Sequence, residues 1–521
     1  MNCVDTSYHL AEVLFLASKV SIVAFIVCIM SSKEASIQTE LSFTTFHNII
    51  DGQRRGAERA VRGVNPATEE ELWEAPIATR ADLDDAVIAG KRAFVSWSRT
   101  PLEERRKCLS RFRDLIEKYK DVLSQVIMAE TGKTVITLEI PEEVLQDDET
   151  VLTVRRYFPV GIVGAICPWN LPVGVMGIKI FQAIIAGNVI ICKNSPYSPY
   201  AALKFCEIAQ EAFPPGVIQI LGGSDDMGGW LVEHPDIPMI AFSGHTRTGK
   251  KIQEMAAKNL KRLTLLLAGN DPVIVCPDVE DIEKVAKEVA LSTWFISGQA
   301  CIATKRIYVH TDIHERFMES LLKATRQTIV GSCADSDAYI GPIQNVDLFR
   351  RLKRLEQECE TKGYNIVLDG RNRDSARKPQ AVDGEQLNGS PNERPEKGYF
   401  FYPTLVLDPP PDCRLVTEEQ FGPIAPYRRW TDFEEVIKEV NSSEYGLGAT
   451  VYCKSDDRAV EMGKRIQAGM IWANCHPRAM GPEPYGGTKH SGFGAEGGEA
   501  GLKCFMNPQT MFRFRWSMVK D

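Results

Sequence analysis

The sequence predicts an α/β protein that contains a doubly wound, Rossmann-like domain and a second α/β domain. After Tyr157, short apolar runs rich in β-branched residues alternate with helical patterns, which is typical of parallel strands joined by helices. A second alternation of the same kind begins near Leu263. At 521 residues the chain is also too long for one compact core. We therefore expect two or three domains.

The segment before these strands is predicted to be helical. Between Ala81 and Thr131, apolar residues recur at steps of three and four, as on one face of an amphipathic helix. Thr79 and Asp82 mark a helix start, and Pro101 suits the first helical position of a second helix. Two long helices are expected here.

Four apolar runs predict the strands of the first sheet, and a helical pattern lies between two of them. The strands are Gly161–Cys167, Gly187–Cys192, Val217–Leu221 and Ile237–Phe242, and the helix is Tyr200–Ala212. In the second domain, the predicted elements are the strands Pro272–Cys276 and Arg306–Val309 around the helix Glu280–Ile296. Residues 370–397 are rich in Arg, Asn, Asp, Ser, Pro and Gly and are predicted to form a solvated loop.

Composition and spacing exclude several classes of function. A net charge of -8 provides no basic field, so nucleic acid is not an expected partner. The eight histidines form no HExxH pattern, so no metal site is expected. The fourteen cysteines contain no CxxC pair, which favours reduced thiols and a cytoplasmic location. GxxxxGK[ST] does not occur, and the single GxGxxG, Gly492–Gly497, does not follow a predicted strand, so a dinucleotide would have to be held in another way.

The N-terminal segment Val13–Met30 is apolar except for Lys19 and two serines. Its longest uninterrupted apolar stretch, Val20–Met30, is shorter than the roughly 20 residues that a bilayer span needs. We therefore expect a soluble protein in which residues 1–40 are an extension. Membrane association through residues 13–30 is the alternative.

The candidate nucleophile is Cys301, in the segment Phe295-Ile-Ser-Gly-Gln-Ala-Cys301. By itself this is a cysteine beside a glycine-containing turn, and buried structural cysteines far outnumber nucleophiles. The setting is more specific, because six motifs occur in order along the chain. They are Pro168-Trp-Asn170, Lys193 in Cys-Lys-Asn-Ser, Phe242-Ser-Gly-His-Thr-Arg-Thr-Gly249, Gly298-Gln-Ala-Cys301, Glu418-Glu-Gln-Phe-Gly-Pro423 and Pro484-Tyr-Gly-Gly-Thr-Lys-His-Ser-Gly492.

Through these motifs the chain resembles the aldehyde dehydrogenase superfamily from about Asn48 to Phe514. The resemblance implies an NAD(P)-binding domain at 41–263, a catalytic domain at 264–454 and a return to the NAD(P)-binding domain at 455–483. It also implies a β-rich oligomerisation arm built from strands near 140–156 and from a C-terminal segment, 484–521. A homodimer or homotetramer would pair through this arm.

The activity implied by the resemblance is NAD(P)-dependent oxidation of an aldehyde to a carboxylic acid. Cys301 would attack as the thiolate, because an aldehyde must become a tetrahedral adduct before it can give up hydride. The side-chain amide of Asn170 and the backbone N–H of Cys301 would stabilise the oxyanion. Hydride transfer to the nicotinamide would leave a thioester.

The resemblance also implies the cofactor contacts. Gly244 and Gly249 would open a helix whose N-terminus faces the pyrophosphate. Lys193 would contact the adenosine ribose, and Glu419 would hold the nicotinamide ribose with Phe421 beside it. The other implied cofactor-binding residues are Ile166, Pro168, Trp169, Gly223 and His245.

One departure from the family concerns the release of the acid. Hydrolytic members carry a glutamate where this chain has Leu266, and losing a positioned general base typically costs about 10²- to 10⁴-fold. Three interpretations follow: a slow enzyme, an enzyme rescued by Lys179 and Glu496, or an enzyme that passes its acyl group to a thiol such as coenzyme A. A non-catalytic scaffold is a further alternative, because Ala268 also departs from the family.

Two further departures concern the cofactor and the assembly. Pro196 replaces a glutamate that NAD-preferring relatives use on the ribose, and His245 replaces a serine, so NAD is expected with NADP as the alternative. The segment between Lys133 and Pro168 is shorter than in relatives by about a helix and part of a strand. Pairing through the arm is therefore open, and no feature of the sequence identifies the aldehyde.

Overall fold

A computed structural model of the protein describes residues 41–65, 68–130, 143–148, 150–332, 338–368, 397–475 and 483–515. The apolar segment 13–30 and most of the predicted loop 370–397 lie outside the described residues. None of the helices in the described ranges is long and apolar enough to cross a membrane.

Thirteen α-helices occur in the described residues. They are α1 Arg80–Trp97, α2 Leu102–Glu130, α3 Pro172–Ile185, α4 Tyr200–Ala209, α5 Asp225–Glu233, α6 Thr246–Ala257, α7 Ile282–Trp294, α8 His314–Arg326, α9 Val346–Thr361, α10 Arg414–Thr417, α11 Phe433–Asn441, α12 Asp456–Gly463 and α13 Gly498–Cys504.

The described residues also contain 22 strands. They are β1 Asn48–Ile50, β2 Gln53–Arg55, β3 Ala60–Val64, β4 Glu71–Pro76, β5 Glu143–Asp147, β6 Val151–Pro159, β7 Ile162–Ile166, β8 Val189–Lys193, β9 Ile218–Leu221, β10 Met239–Ser243, β11 Arg262–Leu266, β12 Pro272–Val275, β13 Arg306–His310, β14 Asn365–Leu368, β15 Thr404–Leu407, β16 Ile424–Trp430, β17 Tyr445–Gly446, β18 Gly448–Tyr452, β19 Met470–Ala473, β20 Thr488–Lys489, β21 Gly492–Phe493 and β22 Met506–Phe514.

The two long N-terminal helices are confirmed. Thr79 caps α1 by accepting a hydrogen bond from the backbone N–H of Asp82, whose carboxylate accepts one from the backbone N–H of Thr79. Pro101 immediately precedes α2, one residue earlier than its predicted position. The buried face of α2 includes Phe112, which packs against Phe205 of α4 with ring centroids 4.9 Å apart.

The first sheet is doubly wound, as the alternation of strands and helices predicts. Its order is β2-β1-β9-β8-β7-β10-β11-β21, and the five strands β9 to β11 in this order are parallel. Among these parallel strands, β7 comes first in the sequence and lies in the middle. The chain continues outward through β8 and β9, and then crosses to β10 and β11 on the other side of β7. Strand order therefore reverses between β7 and β10, which is where α/β sheets place their ligands.

The second sheet has the order β14-β15-β16-β13-β12-β18-β19 and is parallel except for β14. The predicted return of residues 455–483 to the first domain is wrong for β19, which pairs in parallel with β18 of the second sheet. Helix α12 packs on both strands, because its buried side chains Ala459 and Met462 belong to the core of this domain. The boundary at residue 263 also differs slightly, since β11 extends the first sheet to Leu266.

A separate three-stranded antiparallel sheet has the order β22-β6-β5, with nine paired residues between β22 and β6. These strands lie where the sequence places the arm. The C-terminal segment does not belong to the arm alone, because β21 adds an antiparallel edge to the first sheet at Leu265 and Leu266. The described residues 484–515 therefore contribute strands to both the first sheet and the three-stranded sheet.

Candidate active site

The main cavity, of about 800 Å³, lies between the carboxyl ends of the first-sheet strands and the second domain. The turns that follow β7, β10 and β11 line one side, and the loops near residues 300 and 420 line the other. This is the edge at which strand order reverses in the first sheet. Side chains and turns of both domains line the cavity, among them Asn170, Gly244, His245, Leu266, Cys301, Glu419, Phe421, Tyr485 and Glu496.

The loop before Cys301 is held in an unusual backbone conformation. Ile296 and Ser297 have φ values of 52° and 59°, in the left-handed region that β-branched residues rarely adopt. Gly298 follows with φ 72°, and a Cβ atom there would lie 2.4 Å from the carbonyl oxygen of Gly422. The close approach of Gly298 to Gly422 therefore fixes the backbone position of the loop that leads to Cys301.

Lys305 holds the chain on the other side of the nucleophile. Its Nζ donates hydrogen bonds to the carbonyl oxygens of Ala300 and Cys301, at 2.6 and 3.1 Å. The same Nζ lies 3.7 Å from Oε1 of Glu419, and both side chains are buried. A buried ammonium thus connects the loop of the candidate nucleophile, residues 295–301 and called the nucleophile loop below, to the segment of Glu419.

The thiol of Cys301 lies 2.9 Å from the hydroxyl of Tyr485. Burial raises the pKa of this thiol to about 11, although the hydrogen bond with Tyr485 and the charge of Lys305 oppose the increase. With this pKa, the resting side chain is mostly the protonated thiol at neutral pH. Only the thiolate is a strong nucleophile, so the thiol has to lose its proton before it can attack.

Asn170 is brought beside the nucleophile loop. Its Nδ2 donates a hydrogen bond of 2.8 Å to the carbonyl oxygen of Gln299, two residues before Cys301. An amide nitrogen carries two hydrogens, so this bond leaves one N–H for a ligand in the cavity. The side chain is buried, which strengthens its interaction with a developing negative charge.

Leu266 contributes an apolar surface to the cavity at the end of β11. Its side chain cannot accept a proton, and the loss of a general base relative to the family stays a prediction. Three carboxylates line the cavity in the described residues: Glu419, Glu483 and Glu496. Glu419 is already engaged, because its Oε1 accepts a hydrogen bond of 3.0 Å from the backbone N–H of Gly269.

Lys179 and Glu496 form a buried ion pair. Nζ of Lys179 also donates a hydrogen bond of 2.8 Å to Oγ of Ser243. Burial raises the pKa of Glu496, with the charge of Lys179 opposing the increase. Glu496 reaches the cavity while Lys179 lies behind it, so the pair joins the cavity wall to the end of β10.

The N-terminus of α6 faces the same cavity. His245 caps this helix, because its Nδ1 accepts a hydrogen bond from the backbone N–H of Arg247. Burial lowers the pKa of the imidazole, and Arg351 and Arg247 lower it further, so a neutral ring is favoured. In α6, Gly249 fits against Leu267, whose Cδ2 would lie 2.6 Å from an added Cβ atom.

Phe421 adopts φ 56° and presents its ring edge-on to Trp169, with ring centroids 5.5 Å apart. Both rings line the cavity, as does Pro168. The motifs of the first sheet and the segment 418–423 therefore meet across the cavity, although they are about 250 residues apart in sequence.

Four predicted cofactor residues do not line this cavity: Ile166, Lys193, Gly223 and Gly249. Ile166 and Lys193 end β7 and β8, and Gly223 lies two residues after β9, so these three follow the same edge of the sheet. Burial lowers the pKa of the Lys193 amine to about 8, with Asp225 opposing the decrease. Their roles remain predictions.

The sequence analysis did not identify Tyr485, Lys305 or Asp271. Tyr485 lies within the motif Pro484–Gly492, and its hydroxyl is the only chemical signal that could have singled it out. Lys305 follows Cys301 by four residues but outside a helix, so periodicity gives no reason to face it toward the loop. Burial raises the pKa of Asp271 to about 8, against the nearby charge of Lys305.

The described residues contain no cluster of three or more His, Cys, Asp or Glu side chains suited to a metal ion. Independently of this, the cavity brings together a thiol, an amide donor and an adjoining helix N-terminus that can accept a phosphate group, and these groups are suited to covalent chemistry on a carbonyl compound.

Residues 53–511 match the profile described as the aldehyde dehydrogenase family. Aldehyde dehydrogenase LUC3 of a Fusarium species is 35% identical over 492 residues, covering 91% of this chain and all of that protein. The NAD⁺ complex of an aldehyde dehydrogenase from Bacillus cereus has a TM-score of 0.83 and 27% identity, covering 93% and 100% of the two chains. A mutant aldehyde dehydrogenase from Pseudomonas syringae, in complex with NAD⁺ and octanal, has a TM-score of 0.81 and 28% identity, covering 92% and 98%.

Proposed function

The chain belongs to the aldehyde dehydrogenase family, and we propose that it oxidises an aldehyde to the carboxylic acid through a covalent adduct on Cys301. The observation that carries the proposal is the hydrogen bond from Asn170 to Gln299, which holds an amide donor beside the nucleophile. Thiol and donor are then in place for attack on a carbonyl group.

We propose NAD as the cofactor, with NADP as the alternative. The groups that fit a dinucleotide are the N-terminus of α6 for the pyrophosphate and the buried carboxylate of Glu419 for a ribose hydroxyl. Arg247 and Arg351 also line the cavity and add positive charge on this side. The similar structures from Bacillus cereus and Pseudomonas syringae, which are 27 and 28% identical to this chain, are complexes with NAD⁺. When bound, the cofactor supplies the hydride acceptor.

The residues of the chain perform the remaining steps. The Cys301 thiol loses its proton to water in the cavity, and the thiolate attacks the carbonyl carbon. The carbonyl electron pair moves to oxygen, where the free N–H of Asn170 donates to the developing charge. Loss of hydride from carbon leaves the acyl group on sulfur as a thioester.

Hydrolysis of that thioester is proposed to limit turnover, because Leu266 cannot activate water. Glu496 is a carboxylate at the cavity wall, and burial raises its pKa. It is our proposed substitute base, acting on water with Lys179 holding its orientation. Transfer of the acyl group to a thiol such as coenzyme A is the second candidate.

The substrate is proposed to carry an apolar chain. The part of the cavity near Cys301 is bordered by apolar side chains of α3, of the loop after Cys301 and of β19. A hydrocarbon chain would release water from this surface, at roughly 0.8 kcal/mol per buried methylene. Octanal is a suitable probe, since the Pseudomonas syringae relative binds it. The residues concerned are Val175, Ile178, Ile302 and Trp472.

A rapid-mixing experiment with NAD and octanal tests this function. We expect a burst of NADH equal to the number of active sites, followed by a slow steady state, because the adduct and hydride steps precede the slow hydrolysis of the thioester. Cys301→Ala should abolish the burst. Absence of a burst with octanal, a short aldehyde and an aromatic aldehyde, with either NAD or NADP, would favour the scaffold alternative. A steady-state rate raised by coenzyme A would instead identify acyl transfer.

We also propose that the protein assembles with a second copy through its three-stranded sheet. Phe512 and Phe514 on β22 and Val144 on β5 are exposed by 65, 60 and 64%, which is unusual for a sheet that faces only water. Sedimentation of the protein should give a dimer or tetramer, and Phe512→Glu should shift it toward the monomer. A monomeric wild-type protein would remove this proposal.

A cytoplasmic location is proposed from the thiols, because the cysteines of the described residues are all free. Cell fractionation is the test. Recovery in the membrane fraction, lost when residues 13–30 are deleted, would support the alternative.

A further inference from the structure

Tyr485 is the side chain that touches the reacting sulfur. Its hydroxyl oxygen lies 2.9 Å from Sγ of Cys301, within the range of a hydrogen bond to sulfur. The aromatic ring faces the cavity, next to the apolar cluster of Ile302 and Trp472. A phenylalanine would supply the same ring, so the hydroxyl is the feature that needs a reason.

The position of Tyr485 is fixed by its backbone. Its N–H donates to the carbonyl oxygen of Glu496 at 2.6 Å, and the N–H of Glu496 donates back at 2.7 Å. The segment that carries the hydroxyl is therefore attached to the segment that carries the buried Lys179–Glu496 ion pair. A hydroxyl held in this way loses little conformational freedom when it binds the sulfur.

The direction of the hydrogen bond follows from the charge state. Between two neutral groups either the thiol or the hydroxyl can donate, but a thiolate can only accept. Burial and the neighbouring thiol raise the pKa of Tyr485 well above its usual value, so the hydroxyl keeps its proton and cannot act as the base. It can only stabilise the negative sulfur.

We propose that Tyr485 is a catalytic residue that donates a hydrogen bond to the Cys301 thiolate and so stabilises the negative sulfur. The thiol proton leaves to water in the cavity, and Tyr485 retains its own proton. During attack the sulfur electron pair forms the C–S bond, and the carbonyl pair moves to oxygen. Tyr485 thus supports formation of the adduct and does not contribute to hydrolysis of the thioester. This inference rests on the proposed function, in which Cys301 is the nucleophile.

The experiment measures the acidity of Cys301 without any aldehyde. Wild-type protein and Tyr485→Phe are treated with iodoacetamide over a range of pH, and the Cys301 peptide is quantified by mass spectrometry. A hydrogen bond to a charged group is worth about one to two pKa units, so labelling of Cys301 at neutral pH should slow by about 10- to 100-fold. The half-buried Cys108 in the same samples should label at an unchanged rate.

Tyr452→Phe is the matched control. It removes a buried hydroxyl that donates to Glu288, outside the cavity, and should leave labelling of Cys301 unchanged. Tyr485→Leu is a second hydroxyl-free variant in case the phenylalanine variant does not fold, and circular dichroism and NAD binding verify the fold of each.

Equal labelling of Cys301 in wild type and in a folded Tyr485 variant would overturn the inference. That result is distinguishable from failure of the proposed function, because labelling needs no turnover. A wild-type protein without an NADH burst, but with Tyr485-dependent labelling, would contradict the proposed oxidation and leave the hydrogen bond established. Slower labelling, together with a slower burst and an unchanged hydrolysis rate, would support both.

Discussion

The nucleophile loop and the end of β11 face each other across one cavity, but they differ in how many polar contacts they make. Around Cys301, the side chains of Lys305 and Asn170 and the hydroxyl of Tyr485 all bind backbone or sulfur atoms of the loop. At the end of β11, Leu266 presents only an apolar side chain. Several polar groups thus surround Cys301, whereas the side chain of Leu266 has no group that could activate water.

Because of this difference, the two halves of the proposed reaction, adduct formation and release of the acid, can be measured separately. The adduct formation that we propose needs a thiol that can ionise and an oxyanion donor, and both candidate groups lie on the side of Cys301. Release needs a base for water, and the substitute that we propose, Glu496, is paired with Lys179. Burst kinetics therefore report on one side of the cavity, and the steady-state rate reports on the other.

The largest effect on the nucleophile side is expected from Asn170→Ala. Removing one preorganised donor typically costs about 10²- to 10³-fold, so the NADH burst rate should fall by that factor. Asn194→Ala is the control, since its buried amide donates to Pro199 outside the cavity. An unchanged burst rate in Asn170→Ala would show that the oxyanion is stabilised by other groups.

The opposite side is tested by Leu266→Glu. A carboxylate there should activate water and raise the steady-state rate by about 10- to 100-fold, with little change in the burst. Leu266→Gln is the matched control, because it has nearly the same shape but cannot take a proton. Equal gains in both variants, or a gain in neither, would mean that release is not limited by a missing base.

The pH dependence of the burst separates the two sides in the wild-type protein. Burial raises the pKa of the Cys301 thiol to about 11, so the thiolate fraction increases about tenfold per pH unit below that value. The burst rate should rise with the same slope from neutral to mildly alkaline pH. A burst rate independent of pH over this range would mean that the thiol is already ionised.

The smallest effect is expected from Ser491→Ala, which loosens the support of β11. Oγ of Ser491 donates to the carbonyl oxygen of Ala268 at 2.6 Å and accepts from the N–H of Gly446 at 3.0 Å. Losing both bonds inside the protein should lower the free energy of unfolding by about 1–3 kcal/mol. Denaturant titration measures this change, and the burst amplitude should stay at one per active site. A lost burst would give Ser491 a role beyond support.

The sequence by itself predicted the fold class and several strands of both sheets, and it singled out Cys301 as the candidate nucleophile. Apolar periodicity is a local property, so the runs around residues 162, 189, 218 and 239 predict strands without knowledge of their neighbours. The motifs around Cys301 and Asn170 likewise identify candidate residues. The expected loss of a glutamate at Leu266 also needs only the sequence, because it concerns the type of a single residue.

Only the tertiary structure decided which of these residues meet. Periodicity along the chain carries no information about partners far away in sequence, so the 2.9 Å contact between Cys301 and Tyr485 could not be predicted from spacing. The hydrogen bonds from Lys305 to the nucleophile loop could not be predicted either, because Lys305 lies outside a helix and its direction does not follow from periodicity. The same reason explains the wrong assignment of β19, because a strand joins the sheet whose edge it pairs with, wherever its sequence lies.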